Sequence, residues 1–145
     1  MRIYLDTSAL NRVFDDQTQP RIYLEATAML LVFTLLENGK ISLVSSEALR
    51  YENSRNPFTD RRLFVNAVLQ KAKIIQTLGT AILRRALEIE TTCGIKGFDA
   101  LHLACAEKVK AGYFITCDDK ILKRYSGKLT VMNPIDFARL LVQEP

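Results

Sequence analysis

Four acidic residues stand where an α/β chain could use them for chemistry: Asp6, Glu52, Asp99 and Asp118. Asp6 directly follows the β-rich run Arg2-Ile3-Tyr4-Leu5, and Asp118 follows Tyr113-Phe114-Ile115-Thr116 by way of Cys117. In open α/β sheets ligands gather at the carboxyl ends of strands, beside a reversal in strand order, and both aspartates sit where that rule looks. Asp99 lies near the start of a helix with an otherwise apolar face, in Gly97-Phe98-Asp99-Ala100-Leu101-His102. Glu52 ends the helix after the second strand, where the helix dipole disfavours negative charge. Carboxylates drawn into one cleft repel: two unit charges about 4 Å apart cost roughly 4 kcal/mol at an effective dielectric of about 20. A counter-cation is therefore expected, and an all-oxygen ligand set favours Mg²⁺ or Mn²⁺ over zinc. A divalent ion held this way suits phosphodiester hydrolysis, because it can activate water and stabilise the leaving oxygen.

The elements that must position these acids alternate along the chain. Arg2–Leu5 predicts a first strand, and Asp6-Thr7-Ser8 supplies cap chemistry for a short helix through Phe14. Asp15–Gln19 is a loop before Pro20, and a long helix fits Arg21–Glu37, closed by Asn38-Gly39. Ile41–Val44 is the second strand, and Ser45-Ser46 caps a helix to about Asn53. Pro57 opens a helix to about Gln70. Lys73–Leu78 reads as a weak third strand, Thr80–Cys93 as a helix ending at Gly94, and Phe98–Lys110 as another. Tyr113–Thr116 is the fourth strand, Asp118–Tyr125 a helix and Leu129–Met132 the fifth strand. Pro134 opens a last helix to Val142. No repeat, low-complexity stretch or linker interrupts this pattern, which predicts one α/β domain over residues 1–145 with a mostly parallel sheet between helical layers.

Composition sets limits on partners. The chain has 145 residues, 48% of them apolar and 25% charged, as expected for a globular domain with a real core. The net charge of +4 permits an anionic partner without requiring one. Cys93, Cys105 and Cys117 include no Cys-x-x-Cys pair, so they read as packing residues in a reducing cytoplasm. The longest apolar run, Ala26–Leu36, is too short and too polar to span a bilayer, and the start does not read as a secretory signal.

Four segments, in order and at suitable spacing, resemble the PIN-domain family, which includes the VapC-type toxins. They are Tyr4-Leu5-Asp6-Thr7-Ser8, the stretch from Val44 to Glu52, the stretch from Gly94 to Ala104, and Tyr113 to Asp118; Val131-Met132-Asn133-Pro134 resembles the family's last strand and turn. The resemblance covers essentially the whole chain. It implies a three-layer α/β/α fold with a five-stranded sheet, and a divalent-metal-dependent ribonuclease that cuts RNA. Carried over residue by residue, it makes Asp6, Glu52, Asp99 and Asp118 the metal-binding acids, with Ser8 and Thr116 orienting carboxylates or bound water. It further implies a small antitoxin protein as partner and a homodimer, both common among relatives.

Each residue has an alternative reading. Asp6 and Asp118 could be simple helix caps, and Asp99 a first-turn acid that complements its helix dipole. Glu47 competes with Glu52 in the same helix; spacing from Ser46 favours Glu52. Asp119, beside Asp118, is an auxiliary candidate. His102 lies three residues after Asp99 and so shares its helical face, but a packed, hydrogen-bonded role suits it better than a general base. Arg55, in Asn53-Ser54-Arg55-Asn56, could contact an RNA phosphate or simply end a helix. The rival to an enzyme is a catalytically weak or inactive PIN-like module for RNA binding or assembly, against which all four acids count. A haloacid-dehalogenase-type phosphatase needs an aspartate where Ser8 stands. A receiver domain needs an acidic pair after the first strand, which is absent.

Overall fold

A computed structural model describes residues 1–143 of the chain. Its five strands are β1 (Arg2–Leu5), β2 (Ser42–Ser46), β3 (Ile74–Gln76), β4 (Tyr113–Ile115) and β5 (Val131–Met132). They form one sheet in the order β3-β2-β1-β4-β5, and every pairing is parallel, where the sequence predicts only a mostly parallel sheet. Parallel neighbours cannot be joined by a hairpin, so each connection must cross over, and here each carries helix. The helices are α1 (Thr7–Asn11), α2 (Pro20–Glu37), α3 (Glu47–Ser54), α4 (Thr59–Leu69), α5 (Thr80–Cys93), α6 (Phe98–Lys108), α7 (Asp119–Arg124) and α8 (Pro134–Gln143).

Ile3, Tyr4 and Leu5 are consecutive and all fully buried. Successive strand side chains point to opposite faces, so both faces of the sheet are covered and the architecture is three-layered α/β/α. Tyr4 pairs in register with Val44 on one side and Phe114 on the other, and its ring stacks on Phe114 at 5.3 Å. α2 packs on α8, while α5 packs on α6 and α3 on both α4 and α6. Cys105 and Cys117 are buried in the core, where loss of solvent pushes their thiols up to about 11 and about 12.

Element ends differ from the sequence expectation for local reasons. β2 runs on through Ser45 and Ser46, because β3 offers backbone partners at Ile75 and Gln76. Ser46 is thus the last strand residue and also the cap of α3, its Oγ accepting from the Leu49 amide at 3.1 Å. The first helix changes to a 3-10 turn at Arg12–Phe14. α4 starts at Thr59 rather than Pro57, after the Asn56 side chain has accepted from the Phe58 amide. α6 stops at Lys108, where Lys110 takes a positive φ of 54° and the Ala111 amide closes onto the Ala106 carbonyl. β5 begins only at Val131, since the Leu129 amide is taken by the Tyr125 hydroxyl at 3.1 Å.

Candidate active site

From β1 the chain moves outward through β2 and β3 on one side, then returns to build β4 and β5 on the other. The switch point therefore lies between the carboxyl ends of β1 and β4. Leu5 pairs with Ile115, which brings Asp6 beside Thr116. The Thr116 hydroxyl donates to Asp6 Oδ2 at 2.5 Å and the Ser8 hydroxyl to Asp6 Oδ1 at 2.7 Å. Thr116 Oγ1 also accepts from the Asp118 amide, and Ser8 Oγ from the Cys117 amide, each at 3.0 Å. These bonds tie the two strand ends together. Asp6 does cap α1 through the Ala9 amide, and Asp118 caps α7 through the Lys120 amide. Capping and a role in the cleft are compatible in both cases, because each carboxylate has a second oxygen or lone pair to spare.

Glu52 escapes the unfavourable end of α3 through contacts from two other elements. Its Oε1 accepts from the Thr7 hydroxyl and meets His102 Nε2, both at 2.8 Å. Burial pushes its carboxyl up, but the bonds from His102 and Thr7 outweigh burial and hold it below the usual glutamate value. His102 is fully buried, with its Nδ1 on the Tyr4 hydroxyl at 2.8 Å and that hydroxyl on Ser46 Oγ at 2.7 Å. It is a packed, hydrogen-bonded residue that fixes Glu52. Glu47 turns elsewhere and accepts from the Leu78 amide at 2.7 Å.

Among the described residues Asp99 has no hydrogen-bond partner to offset its surroundings. Burial first, then the charges of Asp6, Asp118 and Glu52, push its carboxyl up to about 6. Those same influences place the other three acids within electrostatic range of Asp99. Asp6 is also raised, because full burial outweighs the bonds from Ser8, Thr116 and Ala9. No Lys or Arg among the described residues ion-pairs with Asp6, Asp99 or Asp118. Asp119 is different: it is exposed and clamped by both terminal nitrogens of Arg21, at 2.8 and 2.7 Å.

The donor set is all oxygen and lacks a protein cation, which suits a hard divalent ion. No three His, Cys, Asp or Glu side chains among the described residues converge tightly enough to cage one. Magnesium usually keeps several waters and takes only one or two carboxylates directly, so an open arrangement remains compatible with it.

Three features beside the acids were not legible in the sequence: Thr7 on Glu52, the Ser46-Tyr4-His102 chain behind it, and a cavity of about 320 Å³ next to Glu52. Arg55 lines that cavity with Thr7, Asn11, Asn56 and Phe98. Only the three-residue spacing of Asp99 and His102 hinted at the shared face.

The family profile described as PIN domain matches residues 3–128. The chain belongs to the PIN domain family. Among solved structures it is similar to VapBC2 from Rickettsia felis bound to a DNA fragment from their promoter, with TM-score 0.59 and 17% identity over 92% of this chain and 98% of that one. It is similar to PAE2754 from Pyrobaculum aerophilum, with TM-score 0.58 and 17% identity over 99% of this chain and all of that one. FitAB bound to an IR36 DNA fragment gives TM-score 0.56 and 15% identity over 92% and 95%. No curated protein sequence matches significantly. No helix among the described residues is long and apolar enough to cross a membrane.

Proposed function

We propose that this chain is a divalent-metal-dependent ribonuclease that hydrolyses RNA phosphodiester bonds at the cleft between the ends of β1 and β4. One observation carries the reading. Asp6, Glu52 and Asp118 lie within electrostatic range of Asp99 there; burial first and then these acids push its carboxyl up against the opposing pull of His102, and no Lys or Arg among the described residues ion-pairs with Asp6, Asp99 or Asp118. Asp6, Asp99, Asp118 and Glu52 would hold Mg²⁺ or Mn²⁺. When bound, the ion would neutralise the carboxylates and polarise water and the scissile phosphate.

The protein's own residues then have separate tasks. Ser8 and Thr116 hold Asp6 by both oxygens, so its orientation does not depend on the ion. Thr7 and His102 aim Glu52. Asp99, which has no hydrogen-bond partner among the described residues, is the acid left free to turn toward the ion. Arg55 lines the neighbouring cavity and would contact a backbone phosphate. Asp119, committed to Arg21, supports α7 rather than the ion.

The resemblance to VapC-type toxins supports a small antitoxin protein as partner, a homodimer and a cytoplasmic site of action. A second reading, a catalytically weak or inactive PIN-like module for RNA binding or assembly, draws on the absence of a tight three-acid cage among the described residues. The experiment that separates them is cleavage of a mixed RNA pool with Mn²⁺, with Mg²⁺ and with chelator, beside Asp99→Asn. Metal-dependent cutting lost in the variant is the expected result. RNA retention without cutting under any condition supports the module instead.

A further inference from the structure

The cavity beside Glu52 has the surfaces needed to hold a planar ring. Phe98, the first residue of α6, forms one wall, and the Arg55 guanidinium lies on the rim. Tyr51 braces both. Its ring is 5.9 Å from that of Phe98, tilted by 31°, and Arg55 lies over it at 5.7 Å while donating to its hydroxyl at 3.1 Å. On its inner side Phe98 layers on His102 at 25° and 6.2 Å, so the wall is anchored to the residue that fixes Glu52. The remaining lining is polar: the Thr7 hydroxyl, the Glu52 carboxylate and the amides of Asn53, Asn11 and Asn56, the last two bonded to each other at 3.3 Å. Asn53 is pinned by donating to the Arg62 carbonyl and to Asn66 Oδ1.

Tyr51 is about half exposed, at 53%, and joins Arg55, one turn on at the end of its own helix, to Phe98 of α6. A pocket with an aromatic wall, a guanidinium and amide edges matches an unpaired nucleobase with its phosphate. Aromatic rings accept any base by stacking, amides meet base edges, and arginine meets the backbone. A base already paired and stacked in a duplex could not enter such a hollow.

We propose that this cavity is a nucleobase subsite: it takes the base of an unpaired nucleotide flanking the scissile phosphate, stacked on Phe98, with Arg55 on the neighbouring phosphate. The proposal rests on the ribonuclease reading above, and its test is chosen to fail separately from it.

The test uses the full chain carrying Asp99→Asn, with Mn²⁺, and short mixed-sequence oligoribonucleotides each bearing one 2-aminopurine. Stacking quenches that fluorophore. The expected result is quenching on binding for single strands and none for the same oligonucleotides held in a duplex. Adding Phe98→Leu should weaken binding roughly tenfold and abolish the quench, and Tyr51→Leu, which removes only the brace of that wall, should diminish both. Tyr51→Leu alters an exposed position, so an unchanged melting temperature certifies its fold should Phe98→Leu prove unstable. In the chain with Asp99 intact, Tyr51→Leu should raise KM with little change in kcat. RNA cut or bound with no quench, a quench that survives Phe98→Leu or is undiminished by Tyr51→Leu in the folded protein, or equal binding of duplex overturns the subsite alone. RNA neither bound by the variant nor cut by the chain with Asp99 intact overturns the ribonuclease reading, and the subsite with it.

Discussion

Asp99 sits partly buried near three other carboxylates, and its raised proton affinity records that burial first and their charges second. The stability consequence has a definite sign. The folded carboxyl titrates at about 6, above the unfolded value of about 3.9, so the folded state holds the proton more tightly. Below about pH 4 the group is protonated in both states and costs nothing; the penalty grows through the interval and is complete above about pH 6. Asp99→Asn should therefore stabilise the metal-free protein by roughly 1 kcal/mol at pH 7.5, after discounting for solvent screening. That is about 3 °C in melting temperature, and wild type and variant should converge near pH 4 in scans with chelator. A variant less stable at every pH would make Asp99 a structural helix-start residue. The single residues also mark what sequence can carry. Asp6 and Asp118 were legible because a strand end is a local feature. Glu52 was not secure, since its partners Thr7 and His102 lie 45 and 50 residues away. Asp119 stood as an auxiliary candidate beside Asp118, and only the fold brings Arg21 across 98 residues to claim it.

α6 is the element on which the site turns, since it carries Phe98, Asp99 and His102 on successive parts of one face. Its entry is set by Gly97, with φ 63° and ψ −135°, a conformation that side chains other than hydrogen avoid. A Cβ at Gly97 would meet nothing within 4 Å, so the requirement is one of backbone alone. Gly79, which precedes α5, also has open space, but its φ of −143° is ordinary extended backbone. Gly97→Ala should cost about 1–3 kcal/mol and depress RNA cleavage, because the strain is relieved only by moving Phe98 and Asp99. Gly79→Ala should be near neutral in both. Thermal unfolding and initial cleavage rates of the pair check this; equal effects would show that crowding, not φ, governs the entry. The Gly at 97 was visible in sequence, but its φ was not, because glycine before a helix is also common with ordinary dihedrals.

At the scale of the molecule, the strand and helix alternation was legible, and the helix ends followed from Ser, Pro and Gly placed where caps require them. What sequence left open was the order of strands, which depends on how each crossover lies across the sheet. The order β3-β2-β1-β4-β5 decides that residues 6 and 118 meet, and with them the acids of α3 and α6. The molecule therefore spends folding free energy to hold these carboxylates in the cleft: burial raises Asp6, and burial together with the neighbouring acids raises Asp99. A divalent ion that binds only this folded arrangement returns that energy by mass action. At one hundred times its dissociation constant the gain is about 2.7 kcal/mol. Mn²⁺ or Mg²⁺ should thus raise the melting temperature of the wild-type chain by roughly 5–10 °C at saturation. Ca²⁺ or Na⁺ at matched ionic strength separates specific binding from general screening. Asp6→Asn and Asp99→Asn should each lose most of the metal-induced rise while starting from an equal or higher metal-free midpoint. Glu47→Gln, whose parent carboxylate is turned to the Leu78 amide, should keep it. A metal response that survives loss of Asp99 would place the ion elsewhere in the fold and leave the four acids without their counter-charge.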